Sequence, residues 1–474
     1  MVTWIWSRPS AYQWLPVPAS TPGSPATWSG PAKGTSRRRR CILLAALPLG
    51  PPDWTALREW QAALPQHDLE LPFPEGRTGR YVKFSNEARM LGWNNCFNEE
   101  LMNAYLAHSS RRAYVFSPYI WAPEHYPWPP EQHRPGEETF ILTPLPALIG
   151  GPCQAAPGPR VCPSSERRVI RTPEVKPALA DKDGAEVFAR WVEVLGGAEE
   201  LCIEVVPPEY GSGEDSFPQT FDLGLWGSKR IVSLWDGFSK SPVSRLLGPS
   251  PIVASALVRN EYLFGAAIDD PLAGTLAVHL RRGDYVTHCA NLAGWGSGFY
   301  SWAQLPFLLD KFDPTHDGSD AGKEAKRVDM MRRCLPTVEE LVARIGAVRN
   351  DYYANATSSS SIEPPSAADK RVPTPKASKL DTLYLLTNEP PRSAYLVSLT
   401  AALKKDGWRK IINGGDREER MRLDAEQTEV GGAVDMEVGR RAGVFLGNGW
   451  SSFTSNIIHQ RLVDGRAPVS VRLL

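Results

Sequence analysis

The sequence predicts an α/β fold with parallel sheets, on three observations. A strand-like run, a Gly/Asn turn and a helical pattern follow one another between residues 81 and 107, the opening unit of such a fold. In the second half, short apolar runs alternate with helical patterns, and strands that alternate with helices join in parallel. The length of 474 residues, 42% of them hydrophobic and 22% charged, suffices for two large α/β units.

The charge balance bounds the partners. With 53 Lys+Arg against 53 Asp+Glu, the chain lacks the basic excess of a polyanion binder, and no nucleic-acid partner is expected. The 39 glycines and 43 prolines foreshadow long loops on a globular frame. Seven scattered cysteines include no C-x-x-C pair and no histidine at zinc-site spacing, so no structural metal is expected. Cys153 and Cys162 are placed to close a Pro/Gly-rich loop as a disulfide, and free buried thiols are the alternative.

In chain order, residues 1–36 carry prolines among Ser, Thr and Gly and read as a disordered leader, which the domain division extends to residue 76. Arg37 to Arg40 precede an apolar run, Cys41 to Gly50, far below the roughly 20 residues that span a bilayer. It imitates a secretory signal set unusually deep in the chain. No membrane-spanning segment is expected. Tyr81 to Phe84 is a strand, Leu91 to Cys96 a turn, and Phe97, Leu101, Met102, Tyr105 and Leu106 mark a helical face. Arg112 to Phe116 is the next strand, followed by an aromatic, Pro-rich loop from Tyr119 to Pro135 that can cover a cleft. Asp183 with Glu186 three residues on reads as a helix N-cap.

After a helical stretch from Pro251 to Phe264, strands are expected at Thr275–Leu280, Leu383–Leu386, Lys410–Ile412 and Val444–Leu446. The interval 313–380 interrupts them and reads as a flexible insertion. It holds an amphipathic helix through Leu341, Ile345 and Val348, and a Ser/Pro/Lys-rich linker from Ser358 to Pro375.

Two motifs carry chemistry. Val278-His-Leu-Arg-Arg-Gly-Asp-Tyr285 stands where an apolar strand ends, and ligands of open α/β sheets bind at that edge. Strand alternation sets His279 and Arg281 on one face, with Leu280 on the other. Arg281 offers a permanently charged planar fork for a diphosphate, Gly283 permits a tight turn, and Asp284 can pair with Arg282 or fix the loop. The second motif is a helix from Val434, a strand Gly443–Leu446, the turn Gly447-Asn-Gly-Trp-Ser-Ser452 and a further helix. It brings small residues and hydroxyls to a helix N-terminus, where an anion is favoured.

With these motifs the sequence resembles the GDP-fucose protein O-fucosyltransferases and their α1,6-fucosyltransferase relatives, especially the fungal O-fucosyltransferase-like proteins. The resemblance rests on Gly92-Trp-Asn-Asn95, His279-Leu-Arg-Arg-Gly-Asp284, the strand end Thr387-Asn388, and Val434-Asp-Met-Glu through Gly447 to Ser452. It runs from about residue 80 to the C-terminus, omitting 313–380. It implies a GT-B architecture, two Rossmann-like domains facing a cleft, with 77–268 on the acceptor side and 269–474 binding the GDP-sugar.

In that resemblance Arg281 contacts the diphosphate and supports the leaving group, with Arg282, Gly283 and Asp284 supporting the loop. His279 lines the nucleotide, Asp435 lies near the guanine, and Ser451 and Ser452, with Gly447 and Asn448, bind phosphate. Gly92 with Asn94 or Asn95 faces the sugar and acceptor. The implied reaction is inverting transfer of fucose from GDP-fucose to a hydroxyl of a protein Ser/Thr or a glycan, without metal or cofactor, in the secretory lumen. A fixed guanidinium would stabilise the charge that develops on the β-phosphate. No general base emerges: some relatives carry Glu before the Gly of the first motif, where this chain has Leu91, and Glu87, Glu99 and Asp284 are merely acidic neighbours. Three other readings stand beside it. They are a GT-B protein that binds a sugar nucleotide or glycan without turnover, an adhesion tripeptide at Arg282-Gly283-Asp284, and a metal-dependent GT-A enzyme with Asp181 and Asp183 as ligands.

Overall fold

The computed structural model describes residues 50–474 apart from 65–66, 75, 88–90, 134–140, 152–161, 163–166, 210–216, 266–269 and 358–378. The basic and apolar runs before residue 50, Cys153 and the Ser/Pro/Lys-rich linker lie outside the described residues. Among the described residues, nine strands build two parallel sheets. The first holds β1 (Tyr81–Phe84), β2 (Ala113–Tyr114), β3 (Arg168–Arg171) and β4 (Cys202–Val206), in the order β2-β1-β4-β3. The second holds β5 (Thr275–Leu280), β6 (Thr382–Thr387), β7 (Lys410–Ile412), β8 (Val444–Gly447) and β9 (Val471–Leu473), in the order β7-β6-β5-β8-β9.

In each sheet the first strand of the chain is internal, and the strands that follow it lie on both sides. That is a topological switch point, where neighbouring strands lead their loops apart and open a crevice at their carboxyl ends. In the second sheet it falls between β5 and β8. Strand alternation is plain in β5: Leu276, Val278 and Leu280 are buried in the core of the far face, while Ala277 belongs to the near-face core. The near-face core is continuous through both halves, with Phe97 and Leu148 in one buried cluster with Met436 and Ile457.

Helices α1 (Thr55–Ala62), α2 (Trp93–Ser109), α3 (Gly184–Gly197), α4 (Tyr285–Gly294), α5 (Asp320–Cys334), α6 (Val338–Thr357), α7 (Ala394–Lys405), α8 (Gly431–Arg441) and α9 (Ser452–Val463) frame the site. The start of α3 is as expected: Asp183 accepts from the Glu186 amide and Glu186 reaches back in a capping box, so Asp183 is a cap. No helix among the described residues is long and apolar enough to cross a membrane.

Three expectations are corrected. The leader does not extend to residue 76, because α1 lies within it and Trp54 is buried, its indole bonded to Glu429 at 2.7 Å. The interval 313–380 is not a loose insertion. It supplies the crossover from β5 to β6, and Leu341, Ile345 and Val348 of α6 bury their stripe with Leu396, Leu399 and Leu403 of α7 against that sheet. Among the described cysteines, Cys162 pairs with Cys202 and Cys289 with Cys334, and Cys96 is a buried thiol. Cys162 therefore bonds to a strand 40 residues away and not to Cys153.

Candidate functional site

At the end of β5 the chain turns through Gly283 in the left-handed region (φ 63°), which a side chain would strain. Asn388, just past neighbouring β6, braces this turn. Its Oδ1 accepts from the Arg282 amide (2.9 Å), and its Nδ2 donates to the Arg282 carbonyl (2.9 Å) and to Asp284 (2.8 Å). The two adjacent arginines have parted roles. Arg282 lies 3.7 Å over the Tyr395 ring, donates to the Pro336 carbonyl and sits near Glu389, so it belongs to the scaffold. Arg281 keeps 29% of its side chain exposed and is ion-paired with Asp284, itself half exposed. Asp284 thus pairs with Arg281 and not with Arg282. Exposed pairs of this kind contribute little, so the aspartate does not commit the guanidinium.

Opposite this turn, β8 ends and α9 begins. Gly447 lets the helix close on the strand: a Cβ there would meet Thr454 at 2.4 Å. The Thr454 hydroxyl bonds Nδ1 of His279 (2.9 Å), and the Phe453 ring lies against the same imidazole. Burial, helped by the Arg281 charge, drives the His279 pKa down to about 3. At 5% exposure His279 is a neutral strut that fixes the start of α9, not an open nucleotide contact. Asn448 is corrected similarly. It is buried, with Nδ2 on the Cys334 carbonyl (3.0 Å) and Oδ1 accepting from the Trp450 amide (3.0 Å), so its side chain shapes the turn from inside the fold. Ser451 caps α9 by accepting from the Phe453 amide (3.3 Å). Ser452, half-buried in the first turn, leaves a hydroxyl beside the amino end of the helix.

Asp435 lies on α8 against the middle of β6, where the Tyr384 hydroxyl donates to it at 2.5 Å. Burial raises its carboxyl to about 7, while the tyrosine bond works the other way. Tyr384 pairs in register with Ala277, so the acid meets the sheet four residues, roughly 13 Å at strand rise, before the backbone level of Arg281.

The first half faces this edge through α2. Gly92 opens the helix without a side-chain cap, and Asn94 accepts from Nδ2 of Asn456 on α9 through both its carbonyl and its Oδ1, each at 3.1 Å. The helices that follow the two switch points are therefore tied together near their amino ends. Asn95 is half-buried one residue further on. Tyr285, whose hydroxyl donates to the Trp450 carbonyl, has Arg281 5.8 Å from its ring. Tyr300 is half-buried, with its hydroxyl toward the Asn98 side chain of α2. Of the acidic neighbours, Glu99 is buried, and burial with the charges of Glu87 and Glu99 raises Glu100 well above the carboxylate range.

The aromatic loop after Tyr119 is held by a residue that sequence reasoning missed. Buried Glu429, just before α8, accepts from Trp54, Tyr126 (3.1 Å) and Thr143 (2.5 Å), while Trp121 donates to Thr143 (2.7 Å). These partners lie hundreds of positions apart in the chain, and no local pattern announces them. Asn388 had a signal, the polar residue after an apolar strand, but its role depends on register with β5. Among the described residues, no group of three or more His, Cys, Asp or Glu is placed to hold a metal ion.

No protein-family model matches the chain, and no curated protein matches it. Among solved structures, POFUT1 in complex with GDP-fucose is similar over 83% of this chain and 98% of its own, at 13% identity and a TM-score of 0.45. A second crystal form of that complex shows 15% identity and a TM-score of 0.42, over 83% and 97% of the two chains. A mutant of Arabidopsis thaliana FUT1 in complex with GDP shows 10% identity and a TM-score of 0.32, over 88% and 78%.

Proposed function

We propose that this chain is an inverting fucosyltransferase that takes GDP-fucose at the carboxyl edge of its second sheet and transfers the sugar to a hydroxyl, with protein Ser/Thr as the acceptor class. The observation that carries the reading is Arg281, held at a switch point by Asn388 and Asp284 while its neighbour Arg282 is folded into the scaffold. A guanidinium set at a crevice beside a helix amino end fits a diphosphate. Asp435 lies farther along the sheet, at a separation that an extended nucleoside diphosphate can bridge with its base toward the acid. The motif resemblance to GDP-fucose enzymes names the base and the sugar.

In this reading the second half (269–474) holds the donor and the first half (77–268) presents the acceptor beside Gly92, Asn94 and Asn95. As the bond from the sugar C1 to the β-phosphate breaks, its electron pair passes to the phosphate. Arg281 and the amides at the start of α9 stabilise that charge, with no need for a metal or cofactor. Two disulfides suit an oxidising compartment.

Calorimetric binding of GDP and GDP-fucose in EDTA, with GDP-mannose and UDP-glucose as controls, tests the reading. Guanine-selective binding by the wild type that Arg281→Ala abolishes is expected. A folded wild type that binds none of the four would overturn it. Leu91 and the burial of Glu99 favour a second reading, a protein that binds GDP-fucose without turning it over. Release of GDP from GDP-fucose separates the two.

A further inference from the structure

The acceptor side contains one histidine whose setting differs from the others. His125 follows the first turn of the aromatic loop, and its ring abuts Gly92: a Cβ built on that glycine would lie 3.8 Å from Cδ2 and 3.9 Å from Nε2. The ring is half-buried, and neither ring nitrogen hydrogen-bonds a described residue. Its neighbours are engaged elsewhere. His133 of the same loop bonds the Trp128 carbonyl and packs on Tyr126. His279 and His459 are buried and held near pKa 3. His288 belongs to α4, beside Arg281 and Tyr285, on the side where a leaving phosphate would depart.

The loop position is not arbitrary. Tyr119 donates to the Leu91 carbonyl (2.9 Å), and Tyr126, next to His125, is pinned by Glu429. The imidazole is therefore fixed from both ends of its segment, and the missing side chain at Gly92 leaves a niche in front of it.

Resting on the fucosyl-transfer reading, we propose that His125 is the general base that receives the acceptor proton in the niche at Gly92. Inversion requires the hydroxyl to approach the sugar from the face opposite the leaving group, and α2 faces the Arg281 turn across the edge of the second sheet. The acceptor O–H proton passes to Nε2 of His125 as its oxygen bonds to C1. The C1–O bond to the β-phosphate breaks, its electron pair stays on GDP, and the imidazolium later returns the proton to solvent. A positioned base of this kind contributes roughly 10²–10⁴-fold.

The test uses the full chain with water as the acceptor, reading GDP release from GDP-fucose beside GDP affinity by calorimetry. His125→Gln is expected to lower the release rate at least about 100-fold with GDP affinity within twofold of wild type, and added imidazole is expected to restore part of the rate to His125→Ala. A release rate in His125→Gln within threefold of wild type overturns the assignment, as does loss of GDP affinity in step with rate, which marks a structural role. Undetectable release by a wild type that binds GDP also overturns it, because a base in place must serve water. Failure of the wild type to bind GDP or GDP-fucose takes down the fucosyl-donor reading first, and this assignment with it.

Discussion

The two sheet edges that face each other are built by different means. At the second sheet, the arginine turn is bonded from the adjacent strand end, and its continuation in α4 is linked by Cys289–Cys334 to α5, whose last carbonyl receives Asn448 from the turn after β8. At the first sheet, the facing groups sit on Gly92 and a long aromatic loop, anchored by one buried carboxylate from the other half. Recognition of a developing charge needs donors that do not reorganise, which a sheet edge supplies. In the proposed reading, recognition of an acceptor is left to a loop carried on a rigid scaffold.

Removing each disulfide tests that contrast most severely. Cys289→Ser/Cys334→Ser and Cys162→Ser/Cys202→Ser open loops of similar length, 45 and 40 residues, so each pair should lose about 4 kcal/mol in chemical denaturation. Only the first pair should also weaken GDP binding. Equal weakening by both would show that the donor edge is not independently braced.

Glu429→Ala leaves three buried donors without their acceptor, and about 3 kcal/mol of stability should be lost, with the acceptor-side loop opening to proteolysis. GDP affinity measured by calorimetry should stay within twofold. A large drop in affinity would mean that Glu429 organises both edges.

Acid should weaken the fold through two buried histidines. His279 and His459, which pairs with Ser244 of the first half, have folded pKa values near 3, below the unfolded value of about 6.5. Their contribution is complete above pH 6.5 and falls as pH drops toward 3, by about 1.4 kcal/mol per unit for each group. Asp435 runs the other way: with its pKa raised to about 7, its contribution is complete below the unfolded value near 4 and is lost as pH rises to 7. Denaturation curves from pH 5 to 8 should show a shallower acid limb for His459→Gln and a gain above pH 7 for Asp435→Asn. Unchanged limbs would contradict these burial shifts.

The smallest effect sharpens the comparison most finely. Asn388→Ala removes the brace but not the charge, and GDP affinity should fall roughly fivefold, about 1 kcal/mol, while Arg281→Ala abolishes it. Equal loss in both variants would make the brace as important as the guanidinium.

By itself the sequence determined the α/β class, six of the nine strands, the Asp183 cap, and the two turns that flank the proposed donor edge. Those features are local: apolar runs of strand length, Gly at a positive φ, and a carboxylate before a helix are written in a few neighbouring residues. Edge strand β3 was not legible, since its arginines and exposed Val169 lack an apolar signature. Only the tertiary structure decided which of Arg281 and Arg282 faces the crevice, that Asn448 is buried, and that α6 belongs to the sheet. Each choice depends on contacts with partners far along the chain, such as Tyr395 under Arg282 and Cys334 beside Asn448. Such partners compete for identical side-chain chemistry, and packing and register, not residue type, decide between them.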